Sequence, residues 1–508
     1  MNQVAENDIR WAKVIDHTRC IGCHACTTAC KSENLVPLGV NRTYVKHVDV
    51  GVFPQARRVH QVTRCNQCAN PPCVTACPTT AMYQRSDGIV DFNKNICIGC
   101  KACIAACPYD AIFINPEDHS AEKCNFCAHR LDVGLEPACV VVCPTQAILI
   151  GDLNDPDAKA TQIINRQSVA VRRPEKETRP KLFYRGAHQA TLDPLAAQRP
   201  VGGLFMWSEQ KTGEGIVVSG HPGPANSSAA ALLSYDVPHS MPWDWRVSAY
   251  TWTKGIAAGA YLVPLLLVLF GFLDADSPLW ITYAPIVSGG FLALTGGLLL
   301  WDLEHPERFY LIFTKFQWRS WLVKGAVIIT AFSAILATHF VTGVLLGNAK
   351  IPNYLLWLGG PLAILTAVYT AYLFAQAKAR DLWQNPLLPP HLIVQALLVG
   401  AAALLPLAQW GESVAVNPLQ TLIGVTSFLH LLCIVGELTL GHPTAHAHLA
   451  AQEMTNGRYR WYFRLGVGLA VLGIFAPWLG VAVAPAVLIG LLLYEHAYVQ
   501  AGQAVPLA

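Results

Sequence analysis

Two kinds of hydrophobic patterning divide this chain. From Tyr250 onward long apolar runs recur with short polar breaks, near 249–272, 280–302, 320–346, 354–377, 389–408, 417–438, 461–479 and 482–500. Most of these runs approach the roughly twenty residues needed to cross a bilayer. They predict an all-α polytopic membrane domain of about eight transmembrane helices, plus or minus one, over 246–508. Before residue 150 no such run exists, and short apolar pieces alternate with polar ones around cysteines, which predicts a small α+β domain over 1–150. Between the two halves, residues 151–245 are rich in Pro, Gly, Ala and charge and sustain neither a helical nor a strand period. A stretch of that kind reads as an extended linker or an arm laid on a partner. Its aromatic residues Phe183, Tyr184, Phe205 and Trp207 favour the arm.

The cysteines give the first half its chemistry. "RCIGCHACTTAC" carries Cys20, Cys23, Cys26 and Cys30, and three further groups follow: Cys65, Cys68, Cys73 and Cys77; Cys97, Cys100, Cys103 and Cys107; Cys124, Cys127, Cys139 and Cys143. Three of the four groups end in Cys-Pro. The C-x2-C-x2-C-x3-C-P run is the bacterial ferredoxin signature, in which three cysteines ligate one cubane and the fourth reaches a second. Sixteen ligands in four groups predict four [4Fe-4S] clusters. Structural zinc prefers two CxxC pairs separated by a longer loop. Disulfides need more chain between neighbouring thiols and an oxidising compartment. The first residues, "MNQVAENDIRWAKVIDHTRC", show no apolar signal core and no twin arginine, so cluster assembly is expected in a reducing place.

Charge adds orientation. The net charge of +3 is too small to argue for a nucleic-acid partner. In the membrane half, Arg246, Arg308, Lys315, Arg319, Lys378, Arg380, Arg458, Arg460 and Arg464 fall on the side of the N-terminus. The other side offers little beyond Lys350, Asp274, Asp276 and Glu412. The positive-inside rule then places the cluster domain on the cytoplasmic face of a prokaryotic inner membrane. Trp243, Trp245, Trp301, Trp318, Trp321 and Trp461 sit where interfacial aromatic belts are expected.

The first 150 residues, through "CIGCHACTTACKSENLVPLGVNRTYV", resemble the four-cluster iron–sulfur electron-transfer subunits of the molybdopterin oxidoreductase superfamily, as in polysulfide and dimethyl sulfoxide reductases and formate dehydrogenases. The second half is similar to the NrfD-type membrane subunit of polysulfide reductase. "PWDWRVSAYTWTKGIAAGAYLVP" and "LLLWDLEHPERFYLIFTKFQWRSWLVKGA" carry that likeness. The departure from both families is the fusion of two subunits usually encoded separately.

The resemblance implies two dicluster ferredoxin units with crossed ligands. Cys20, Cys23, Cys26 and Cys143 would hold one cluster, and Cys124, Cys127, Cys139 and Cys30 the next. Cys65, Cys68, Cys73 and Cys107 would hold a third, and Cys97, Cys100, Cys103 and Cys77 a fourth, nearest the membrane. It also implies a wire for single electrons between a large molybdopterin or tungstopterin catalytic subunit and a quinone, menaquinone or ubiquinone, with no haem. Lys254, Asp302, His305 and Arg308, near the cluster-facing ends of the first two spans, are the candidate quinone residues.

Ionisable groups inside spans are costly and functional by default. His430, Cys433 and Glu437 share one helix face, and His430 with Glu437 form a candidate proton relay. His391 and Gln395 pair similarly in the fifth span. No nucleophile–base constellation, phosphate-cradling loop or pterin domain is recognisable, so no substrate chemistry is expected of this chain alone. The expected role is the electron-transfer and quinone-reactive subunit of a respiratory oxidoreductase whose partner handles formate, sulfite or another sulfur compound. A nickel–iron hydrogenase partner and a coupling role in a larger respiratory assembly are the alternatives.

Overall fold

The computed structural model describes residues 9–51, 54–198, 231–347, 352–440, 442 and 444–507. Phe205, Trp207 and Lys350, which the sequence pattern singles out, lie outside the described residues.

Each central cysteine group folds in the same way. Pro72–Ala76 and Ala102–Ala106 are five-residue helices that Cys-Pro pairs end, because proline has no N–H to continue the ladder. A two-stranded hairpin follows each helix: Met82–Gln84 with Val90–Phe92, and Ile112–Ile114 with Ala121–Lys123. All the thiols of this pair of units except Cys100 pack with Ile89, Tyr109 and Phe126 in one buried cluster.

Two larger sheets flank the units. In one, the order is Ile148–Asp152, Trp11–Asp16, Leu182–Arg185, Val169–Ala170, with Trp11–Asp16 antiparallel to the first and parallel to the third. In the other, Thr43–Val50 lies between Arg57–Arg64 and Ala231–Tyr235, all antiparallel. The extended connector expected from 151 is therefore corrected where it is described. Residues up to Leu192 supply strands, the helix Lys159–Arg166 and a fully buried Tyr184 to the N-terminal domain. Short strands interrupted by turns carry too little periodicity to be seen without their sheet partners.

Among the described residues, seven helices are long and apolar enough to cross a membrane: Trp245–Leu269, Leu279–Trp301, Trp321–Leu345, Tyr354–Gln376, Leu388–Gly411, Ser413–Thr439 and Ala476–Ala504. The protein is an integral membrane protein. The eighth expected span, 461–479, is instead the fifteen-residue helix Arg460–Ile474. At 1.5 Å per residue it covers about 22 Å, short of the hydrocarbon thickness of about 30 Å. Pro477 and Gly480 break the run that the hydropathy pattern reads as continuous. The first helix packs against the fifth by backbone contact: a Cβ at Gly259 would overlap the Ala396 carbonyl oxygen and meet Gly400 Cα at 2.9 Å. Small residues at such a crossing let helices approach where lipid offers no hydrophobic drive.

Candidate functional site

The sixteen N-terminal thiols are free. Among the described residues, no three His, Cys, Asp or Glu side chains converge on the point that a single metal ion needs. They surround larger spaces instead. Cys77, Cys97, Cys100 and Cys103 line a cavity of ≈ 370 Å³, and Cys20, Cys23, Cys26 and Cys143 line another of ≈ 330 Å³. Cys30 lies within electrostatic reach of Cys124, Cys127 and Cys139, and Asn34 Nδ2 donates to both Cys30 Sγ and Cys127 Sγ at 3.7 Å. Cys73 stands in the same relation to Cys65, Cys68 and Cys107.

These four sets adjoin in order. Cys26 is within reach of Cys139, Cys65 of Cys124, and Cys103 of Cys73. The thiols thus run from the exposed Cys23 to the segment Cys97–Cys103, which meets the membrane half.

That meeting is a dense set of contacts to backbone carbonyls. Trp243 Nε1 donates to Cys100 O at 3.3 Å, and Arg308 Nη1 to Cys97 O and Lys94 O at 3.1 Å. The His305 backbone N–H donates to Ile98 O at 3.2 Å, and its ring Nε2 lies 2.9 Å from Asp118 O. Ser320 Oγ donates to Ala76 O at 2.8 Å and the Gln317 N–H to Pro78 O at 2.9 Å. Lys101 Nζ pairs with Glu304 at 2.9 Å and lies 3.7 Å from Asp302 Oδ1, as does Arg246. Burial pushes Asp302 up to about 6, against the pull of Lys101 and Arg246.

The four quinone candidates therefore do not converge. Asp302, His305 and Arg308 clamp the cysteine loop. Lys254 lies inside the bundle, where its ammonium donates to Ala367 O at 2.8 Å and Thr370 Oγ1 at 2.6 Å and sits over the Tyr369 ring. Sequence spacing groups them near one end of the first two spans, but loop geometry sends three of them outward to the head domain. Trp243, expected in an interfacial belt, is 5% exposed, so the belt reading is corrected for it. Trp301 and Trp461, at 60% each, are on the outer surface.

The proton-relay candidates do come together, through a residue on another helix. His391 Nδ1 is 2.8 Å from Glu437 Oε1 and its Nε2 is 2.7 Å from His430 Nδ1. Tyr494 OH donates to Glu437 Oε2 at 2.7 Å. Beside this relay lies a cavity of ≈ 300 Å³, lined by Thr251, Phe374, His391, Gln395, Tyr494 and Glu495 among others. Gln395 Oε1 and His430 Nε2 are buried without a protein partner. Thr251 donates to Glu495, a residue that sequence reasoning passed over. An acid inside the last apolar run was the signal that could have found it.

Two of the fully buried cations of the head domain reach the same sulfur. Arg64 Nη1 donates to Cys139 Sγ at 3.0 Å and Lys13 Nζ lies 3.7 Å from the same sulfur. Burial would push this thiol up, but Lys13 and Arg64 outweigh it and bring Cys139 down to about 7. Arg64 Nε and Nη2 find no protein acceptor. A buried unpaired donor costs about 1–3 kcal/mol, more when charged. Such groups fit an anionic, sulfur-rich occupant of the thiol sets.

Comparison with known proteins agrees with this geometry. Residues 59–153 match the family described as the 4Fe-4S dicluster domain, and residues 235–493 match the family described as polysulphide reductase, NrfD. The N-terminal part is 45% identical over 194 residues to a tetrathionate reductase subunit of Salmonella typhimurium, covering 37% of this protein and 76% of that one. It is 42% identical over 177 residues to a polysulfide reductase chain of Wolinella succinogenes, covering 34% and 93%. It is 41% identical over 180 residues to protein NrfC of Escherichia coli K12, covering 35% and 81%.

Proposed function

Because the protein belongs to the polysulphide reductase NrfD family in its membrane half and carries a 4Fe-4S dicluster domain at its head, we propose that it is the electron-transfer and quinone-reactive subunit of a respiratory oxidoreductase complex. Its separate catalytic partner is a molybdopterin or tungstopterin enzyme. The names of the relatives favour a sulfur compound as that partner's substrate. Four [4Fe-4S] clusters, one per thiol set, supply one-electron carriage when bound. Lys315, Arg319, Lys378, Arg458, Arg460 and Arg464, which make no ion pair to the head domain among the described residues, favour the cytoplasmic face for it.

One observation carries the reading: a chain of contacts that leads from the membrane-side thiol cavity to the bundle cavity. Trp243 holds the Cys100 carbonyl, its ring stacks on Trp383 with centroids 5.4 Å apart and lies 6.0 Å from Phe374, and Phe374 lines the bundle cavity. A quinone needs an apolar slot, hydrogen-bond partners for its oxygens and proton acceptors on the way out. Gln395 Oε1 is free to accept from a hydroxyl of a bound hydroquinone. Hydroquinone oxidation yields quinone, two electrons and two protons. His391, leading to His430 and to Glu437 with Tyr494, and Glu495 are placed to take the protons. The same groups deliver protons when the flow runs towards the quinone.

The test is anaerobic purification from membranes in mild detergent, with metal and mass analysis of the accompanying large polypeptide. Quinol-driven bleaching of the visible absorption is then compared in the native protein and in Glu495→Gln and His391→Phe. Molybdenum or tungsten in the partner, with bleaching lost in both variants at unchanged iron content, is expected. Nickel in the partner, or unchanged bleaching, would overturn the partner or the quinone seat respectively.

A further inference from the structure

The charges around the sixteen thiols are unevenly placed. Among the described residues, the one sulfur that accepts from charged side chains is Cys139, which receives Arg64 Nη1 at 3.0 Å and Lys13 Nζ at 3.7 Å. The others that are bonded accept from neutral groups, among them the N–H of Gln67 on Cys65, of Met82 on Cys77, of Ala121 on Cys97 and of Ala147 on Cys143, and Asn34 on Cys30 and Cys127. At the membrane end the carboxylate of Asp302 acts on Cys100, and the buried Lys123, which acts on Cys65 and Cys73, is bonded to the carbonyl oxygens of Val90 and Cys124 rather than to a sulfur.

Among the described residues, neither cation has a carboxylate partner. Arg64 is 1% exposed and Lys13 is fully buried, and no ion pair to either is present among the described residues. Lys13 lies over the Phe126 ring at 4.5 Å, and two further N–H groups of Arg64 have no protein acceptor. Buried charges are ordinarily paired. The anion that these two are built to face is therefore whatever the Cys30, Cys124, Cys127 and Cys139 set holds.

We propose that Arg64 and Lys13 are positioning residues that set the reduction potential of the second cluster, holding it more positive than its ligands alone would. The inference rests on the proposed cluster content. A cluster that takes up one electron gains one negative charge without any bond made or broken. Cations and hydrogen bonds at its sulfurs stabilise the reduced form more than the oxidised one, and so raise the potential. Position gives this a consequence. The second set lies between the exposed first set and the two that lead to the membrane, so both cations act on an intermediate station of the wire, and Arg64 also reaches Cys20 and Cys26 of the first set.

The experiment is an anaerobic redox titration of the full-length protein in detergent, followed by electron paramagnetic resonance, for the native protein, Arg64→Gln, Lys13→Gln and Arg64→Lys. Cys30→Ser assigns the second cluster by altering its spectrum. The expected result is a fall in the midpoint of that cluster in each glutamine variant, confined to it in Lys13→Gln and joined by a smaller fall of the first cluster in Arg64→Gln, with recovery in Arg64→Lys and unchanged iron per polypeptide. Unshifted midpoints, or equal shifts of all clusters, would overturn the proposal. Should Arg64→Gln lose iron because it adjoins Cys65, Lys13→Gln decides the matter from the other side of the same sulfur. Absence of cluster signals from the native protein would instead defeat the proposed function itself.

Discussion

The indole N–H of Trp243 donates to the carbonyl oxygen of Cys100 across 3.3 Å, joining the approach to the first membrane helix to the cysteine loop that rests on the bundle. Replacing Trp243 by Phe removes the donor and leaves a smaller ring against Trp383. Docking of the head should weaken by about 1 kcal/mol, the worth of one such bond. Quinol-driven bleaching, followed by stopped flow, should slow while iron content stays the same.

Asp302 makes the same interface sensitive to pH. Its carboxyl is raised from the usual 3.8 to about 6 by burial. The docked state therefore binds the proton more tightly than the undocked one. The stabilisation is complete below the ordinary pKa and is lost as pH rises through about 6, a span of roughly 3 kcal/mol. Asp302→Asn should flatten this part of the thermal-stability profile. Loss of the carboxylate beside Lys101 and Arg246 should also impair quinol-linked reduction with the clusters still assembled.

His239 gives the opposite end of the pH range. Burial disfavours its charge, but Asp236 and Asp110 outweigh burial and raise it to about 9. The ring Nε2 is 3.1 Å from Asp236 Oδ1, Nδ1 is bonded to Asp110, and Tyr44 packs at 5.9 Å. Arg380 also acts on Asp110. The stability from His239 is fully present below 6.5 and disappears as pH climbs through about 9, again of the order of 3 kcal/mol. Melting temperatures measured from about pH 6 to about pH 10, in steps of about one unit, should show that fall in the native protein and little of it in His239→Gln.

Gly259 tests the helix crossing. An alanine there places Cβ on top of the Ala396 carbonyl oxygen, so the two helices must part. The expected cost is about 1–3 kcal/mol or more from overpacking. Gly289→Ala, with nothing within 4 Å, is the control and should be neutral or stabilise by up to about 1 kcal/mol. Unfolding in detergent, followed by circular dichroism, separates the two outcomes.

The docking geometry also depends on one glycine. Gly99, at φ +69°, has Glu304 Cγ at 2.8 Å from where its own Cβ would lie, and Glu304 Cβ closer still. Gly99→Ala adds left-handed backbone strain to a clash, and should cost about 1–3 kcal/mol. Increased protease sensitivity at the loop 302–308 would report it.

Local patterns told much of this in advance. Cysteine spacing, Cys-Pro stops and apolar run lengths act within a dozen or two residues, so the cluster domain, the membrane half and their fusion were all legible. The pairing of thiol sets and the adjacency of Cys97–Cys103 to the membrane came from family resemblance, and the contacts of that loop agree with the latter. Run length misjudged Arg460–Ile474, because hydropathy continues across Pro477 and Gly480 where the helix does not. It also missed the strands after 151, whose periods are too short to register.

What the sequence by itself determined was thus the kind of chemistry and the kind of solvent each half meets, since both follow from residue types at short spacing. Tertiary structure alone decided which side chains share a site. Arg64 reaches Cys139 across 75 residues, His391 joins His430 to Glu437 from another helix, and Asp302, His305 and Arg308 turn away from Lys254 to grip a loop some 200 residues earlier. A buried charge or hydrogen-bond donor is satisfied by whatever packing brings near it, and that is set by the whole fold rather than by its neighbours in sequence.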